Sequence, residues 1–123
     1  MLLVYWWRVV VVEKFARFVG RASRAEYWWF FLANLIIVLV LGALSRVTVV
    51  FTIIYAIYGL ALIIPSIAVG VRRLHDTSRS GWWILIGLVP IVGFIILIVF
   101  FALDGDPGPN RFGPPPPRQP ALA

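Results

Sequence analysis

Three long apolar runs, separated by short polar stretches, set the pattern of the chain: residues 27–44, 47–71 and 82–103. About 20 apolar residues in a helix cross the roughly 30 Å of hydrocarbon in a bilayer. Each run meets that length, and none contains Asp, Glu, Lys, Arg or His. The usual marker of an ion path or proton relay is therefore missing from the spans. The pattern predicts an all-α membrane protein with three transmembrane helices.

Local signals place the ends of these helices. Ser23-Arg24-Ala25-Glu26 has capping-box form, and Tyr27, Trp28 and Trp29 supply an interfacial aromatic belt at the start of the first span. Ser45 and Arg46 leave room only for a tight connection, so the first two spans run antiparallel. Pro65 should bend the second span, and Ala61, Pro65, Ala68 and Arg72 share one helical face along which another helix can pack closely. Asn34 and Ser66 fall about 8 to 9 Å below the same surface, counting ~1.5 Å per residue, and are expected to hydrogen bond. The third run opens with Trp82 and Trp83 behind a Ser80 cap, and Gly87, Pro90 and Gly93 predict a kinked span.

Before the first span, helical spacing puts Trp7, Val11, Phe15, Phe18 and Ala22 on one side, and Glu13, Arg17 and Arg21, with Lys14 beside them, on another. Residues 1–22 are read as a retained interfacial amphipathic segment closed by Gly20; the alternative is an N-terminal extension of the first span. Residues 23–103 form the three-span domain. Residues 104–123, rich in Gly and Pro, read as turns followed by a flexible tail.

Composition agrees with a membrane class. Of the 123 residues, 62% are hydrophobic and only 13% charged, where soluble domains carry about a quarter. Cysteine is absent, which removes disulfides, thiolate zinc sites and thiol catalysis. The net charge of +6 is explained by basic residues flanking spans, so nucleic acid is not an expected partner. Arg8, Lys14, Arg17, Arg21 and Arg24 precede the first span and Arg72, Arg73 and Arg79 follow the second, against Arg46, Arg111 and Arg118 opposite. The N-terminus is then expected inside and the C-terminus outside.

Candidate chemistry concentrates in RRLHDTSRSGWW, Arg72 to Trp83. His75 beside Asp76, with hydroxyls nearby, holds ingredients of nucleophilic catalysis, but adjacency in sequence is not a triad, and no enzyme activity is expected. One histidine and scattered carboxylates fall short of a zinc site. Asp104, Asp106 and Asn110 lack the bidentate glutamate of a calcium loop and read as turn formers. No cofactor or metal is expected. Arg72, Arg73, His75, Asp76 and Arg79 instead suggest an anion-binding or interaction surface, because guanidinium forks suit phosphate. Asp76 is expected to pair with Arg73 or Arg79, and Glu26 with Arg72 or Arg73.

The segments GRASRAEYWWF, IPSIAVGVRRLHDTSRSGWW and NRFG, in this order and with Pro and Gly in the intervening span, resemble the domain of unknown function 805 family of small bacterial inner-membrane proteins. The resemblance covers about Phe15 to Pro117. It implies a multi-pass inner (plasma) membrane protein without an established activity. Two departures stand out: Pro114 to Pro117 replaces an acidic ending, and the N-terminal segment is unusually apolar. The functional expectation is an interaction or envelope-associated module whose cytoplasmic Arg-rich hairpin meets anionic lipid headgroups or a membrane-protein partner. The alternatives are a subunit of a homo-oligomeric transporter or channel, built on the small-residue faces, and a membrane enzyme using His75 and Asp76.

Overall fold

A computed structural model describes residues 2–116, and the expected tail beyond Pro116, with Pro117 and Arg118, lies outside the described residues. Helix α1 (Leu2–Arg8) continues into a π-helical turn (Val9–Glu13); α2 (Arg24–Leu44), α3 (Val49–Ala61) and α4 (Ile63–Asp76) follow, then a 3-10 helix (Gly81–Leu88) and α5 (Val92–Ala102). Helix α2 starts where the Ser23 hydroxyl oxygen accepts the Glu26 amide at 3.1 Å. At ~1.5 Å per residue its 21 residues span about 32 Å. A short turn follows, and Thr48 caps α3 by accepting the Val50 amide. Gly42 lets Tyr55 of α3 approach closely, since a Cβ there would sit 3.3 Å from the ring.

Helices α3 and α4 form one 28-residue path, Val49–Asp76, broken at Leu62. Pro65 is the cause: it has no N–H for the Ala61 carbonyl, and its ring crowds that carbonyl. This path and α2 are both long and apolar enough to cross a membrane. Their outer faces expose Leu39, Val40, Ile57 and Leu60. A surface this apolar suits hydrocarbon rather than water.

The third apolar run corrects the three-span expectation. Its two limbs, eight residues of 3-10 helix and eleven of α5, each rise about 16 Å and fold against each other. Trp83 meets Phe100 edge-on at 5.7 Å, and Gly87 and Gly93 leave space that side chains would fill: a Cβ on Gly93 would lie 1.7 Å from the Ile86 carbonyl oxygen. Pro90 and Ile91 therefore mark a reversal rather than a kink. The run returns to its starting end, so the described part of the tail lies beside the hairpin and not opposite it.

The N-terminal segment is also corrected. Its helix ends at Glu13, and residues 14–23 are irregular. Trp6, Val9 and Val10 are buried, with Val10 packing among Ala22, Phe30, Leu62 and Val69. Of the expected apolar face, Trp7 and Val11 pack on this cluster while Phe15 and Phe18 remain exposed. Gly20 does take a left-handed conformation, φ +96°, but within the irregular segment rather than at a helix end.

Candidate functional site

Where α2 begins and α4 ends, polar residues from four parts of the chain converge. Arg21, Arg72 and Arg73 are 6%, 1% and 0% exposed, so each guanidinium must find its partners inside the protein. Two carboxylates supply charge. Asp76 accepts Arg21 Nε at 2.9 Å through one oxygen and Arg73 Nη1 at 2.6 Å through the other. Glu26 pairs with Arg72 and lies 3.7 Å from Lys14. Asp76 thus pairs with Arg73 and not with Arg79, and the Glu26 side chain serves Arg72 instead of closing a capping box back to Ser23.

These cations outnumber the carboxylates, and backbone carbonyls make up the difference. Arg73 donates to the Phe101, Ala22 and Leu103 carbonyls. Phe101 and Leu103 sit at the end of α5, where carbonyls have no helical partner and the helix dipole is negative, so a guanidinium satisfies both deficits. Trp28 Nε1 donates to the Phe101 carbonyl as well, at 3.1 Å. Arg72 Nε donates to the Arg17 carbonyl at 3.0 Å, and the Ala22 amide donates to the Arg72 carbonyl at 2.9 Å. Arg72 Nη2 has no hydrogen-bond partner among the described residues.

The tail closes over this cluster. Arg21 donates to the carbonyls of Asp106 at 2.6 Å and Gly108 at 2.8 Å, and more weakly to Gly113 at 3.3 Å. The Asp106 amide donates to the Asp76 carbonyl at 2.8 Å, and Asn110 Nδ2 to the His75 carbonyl at 2.9 Å. Gly105 packs directly on Asp76, where a Cβ would lie 1.9 Å from Oδ2. Phe112 stacks on the His75 ring at 3.9 Å, nearly parallel at 4°, while His75 Nδ1 pairs with the Gly20 carbonyl at 2.8 Å. Asp106 accepts from the Ser78 hydroxyl and from Asn110, which hold its carboxyl below the usual carboxylate range. The tail is therefore a clasp up to Gly113.

Several expected roles change. Arg72 and Arg73 are buried and, Arg72 Nη2 apart, engaged by internal partners, so neither guanidinium is presented at the surface. Arg79 lies 4.2 Å over the Phe100 ring and donates to the Thr77 carbonyl, bracing the returning limb. His75 and Asp76 share no hydrogen bond, each being turned to other partners. Asn34 accepts not from Ser66 but from the Tyr58 hydroxyl at 2.6 Å, and that hydroxyl accepts Trp7 Nε1 at 2.9 Å; Ser66 only lines the same cavity. Pro65 and Ala68 are buried within the chain and Ala61 faces outward, so the expected packing stripe is internal and incomplete. Arg21, Asp106, Asn110 and Phe112 belong to the cluster although no sequence signal joined them. Their signal was the polar density of three separate segments, which the expected topology placed on opposite sides.

Two long apolar helices closed at one end by buried arginines define a small helical membrane protein. The chain belongs to the family described as Protein of unknown function (DUF805), whose pattern matches residues 15–114. It is 44% identical over 119 residues to inner membrane protein YhaH of Escherichia coli K12, covering 93% of this chain and 98% of that one. It is 39% identical over 111 residues to inner membrane protein YhaI of the same organism, covering 89% and 94%. No solved structure matches the chain. The bacterial inner-membrane location read from the sequence agrees with these relatives.

Proposed function

We propose that the protein crosses the inner membrane twice, with its arginine hairpin and its tail on the cytoplasmic side and helix α1 packed along the spans, and works on that side as a non-catalytic interaction module at the lipid surface. One observation carries this reading: the chain leaving α5 is bound to the hairpin, through Arg73 to Leu103 and Asp106 to Asp76. The charge distribution supports it. Lys14, Arg17, Arg21, Arg24, Arg72, Arg73, Arg79 and Arg111 gather at that end; of the other described basic residues, Arg46 stands at the opposite end and Arg8, on α1, pairs with Glu13. Contact with anionic headgroups passes from the buried arginines to the exposed Arg17, Arg24 and Arg111, helped by exposed Phe15 and Phe18. The carboxylates and the histidine that catalysis would need are engaged in the clasp, which supports a binding role.

The absence of cysteine permits a direct test. Single cysteines at Arg24, Val47 and Arg111 are labelled with a membrane-impermeant maleimide in intact spheroplasts and after permeabilisation. Val47→Cys should label in both, and the other two only after permeabilisation. Labelling of Arg111→Cys in intact spheroplasts would restore an external tail and defeat the two-crossing reading.

A further inference from the structure

A groove of about 500 Å³ runs along the outer side of α4, between that helix, the irregular N-terminal segment and the first limb of the returning hairpin. This volume falls in the range of small-molecule sites, ~300–1,000 Å³. On α4 its floor is Ile67, Val71 and His75, residues four apart on one helical face. From Ile67 to His75 is about 12 Å along the axis at ~1.5 Å per residue. Phe18 and Leu85 supply apolar walls, and the polar groups of the lining, His75 and Ser80, lie toward the arginine end. The groove is thus apolar in depth and polar at its mouth, the same order that a phospholipid presents from acyl chain to headgroup.

The mouth has further chemistry. His75 Nδ1 faces a carbonyl at 2.8 Å, so it carries the proton, and Nε2 is left as an acceptor for a hydroxyl. The Ser80 oxygen accepts the Trp82 amide at 3.3 Å and keeps its own proton to donate. Two exposed arginines are neighbours of these groups along the chain: Arg17 precedes the Phe18 wall, and Arg111, which donates to the Ser78 carbonyl at 3.4 Å, lies 4.7 Å over the Phe112 ring that stacks on His75. The neighbouring carboxylate, Asp106, is occupied by Ser78 and Asn110.

We propose that this groove holds one acyl chain of an anionic glycerophospholipid, its phosphate and headgroup hydroxyls seated at the His75–Ser80 mouth between Arg17 and Arg111. The proposal rests on the reading of the arginine end as the membrane surface, and it adds a defined site to a general affinity for anionic lipid.

The full chain is reconstituted in bilayers of equal phosphatidylglycerol and phosphatidylcholine, extracted in mild detergent, and its retained lipid counted by mass spectrometry. Wild type should keep one phosphatidylglycerol per chain in preference to phosphatidylcholine. Leu85→Trp and Ile67→Trp, which fill the groove from two sides, should each lower retention at least about tenfold, while Val40→Trp on the outer face of α2 should not. Arg17→Gln and Arg111→Gln should each lower the preference about fivefold, the factor one basic residue supplies at an anionic surface. Both arginines are exposed, so these variants still report if a tryptophan variant fails to fold. Equal capture of the two lipids, or wild-type retention by Leu85→Trp and Ile67→Trp, overturns the site. Cysteine labelling at Arg24, Val47 and Arg111 is read separately in spheroplasts, so a failed site and a failed topology give different results.

Discussion

Asp76 and Glu26 each neutralise buried guanidinium, but they carry unequal loads. Asp76 serves Arg21 and Arg73 at once and also meets Gly105, whereas Glu26 serves Arg72 with help from a Lys14 that is partly exposed. Removing one partner of a buried pair leaves an uncompensated charge and costs roughly 3–5 kcal/mol. Asp76→Asn should therefore lower the unfolding midpoint in detergent by more than Glu26→Gln, and should release the tail to protease while Glu26→Gln leaves it protected. Asp106 gives the clasp a pH dependence of known sign. Its carboxyl is held below the usual range by the Ser78 hydroxyl and the Asn110 amide, so the unfolded chain binds the proton more readily. Its contribution is complete above the ordinary aspartate value of about 3.9 and falls as acidification passes the lower folded value. Proteolysis of the tail should accelerate over that window, and Asp106→Asn should remove the dependence. At this scale the sequence was partly legible. Neighbouring addresses narrowed Glu26 to Arg72 or Arg73 and Asp76 to Arg73 or Arg79, but most carbonyl partners of Arg21 and Arg73 come from residues 101–113, which no local pattern ties to them.

Among the elements, α2 and the α3–α4 path were readable because capping, aromatic belts and uninterrupted apolar length all agree. The third run was misread for a physical reason. A glycine and proline that kink a crossing helix and a glycine and proline that reverse a hairpin are the same residues, and apolar length does not record direction. What decides is contact between the limbs, Trp83 on Phe100 and Gly93 under the Ile86 carbonyl. The reversal is strained at Ile91, whose φ of +66° and ψ of −67° form a tight turn in which the Val92 amide bonds the Pro90 carbonyl at 2.7 Å. A β-branched residue in that region costs of order 1–3 kcal/mol. Ile91→Gly should accordingly raise the unfolding midpoint in detergent, and a fall would show that the exposed Ile91 side chain contributes more than its backbone costs.

For the whole molecule, the returning hairpin changes what the basic charge means. With the described tail beside the hairpin, Arg111 joins the arginine-rich end, and the charge asymmetry becomes steeper than three spans allowed. The N-terminal helix likewise gains a packed position, with Trp7, Tyr58 and Asn34 linked by hydrogen bonds across α1, α3 and α2.

The clasp also imposes an order on biosynthesis. Arg21 emerges from the ribosome early, yet its acceptors at Asp106, Gly108 and Gly113 lie 85, 87 and 92 residues later in the chain. Until they arrive, Arg21 and Arg73 have Asp76 between them but lack part of their carbonyl acceptors, so full burial is costly. Insertion of α2 and of the α3–α4 path can precede synthesis of residues 106–113, but the polar end can lock only after it. A nascent chain halted before Asn110 would therefore sit in the membrane unlocked, and proteases acting at that end would meet an open hairpin where the finished protein offers a sealed one.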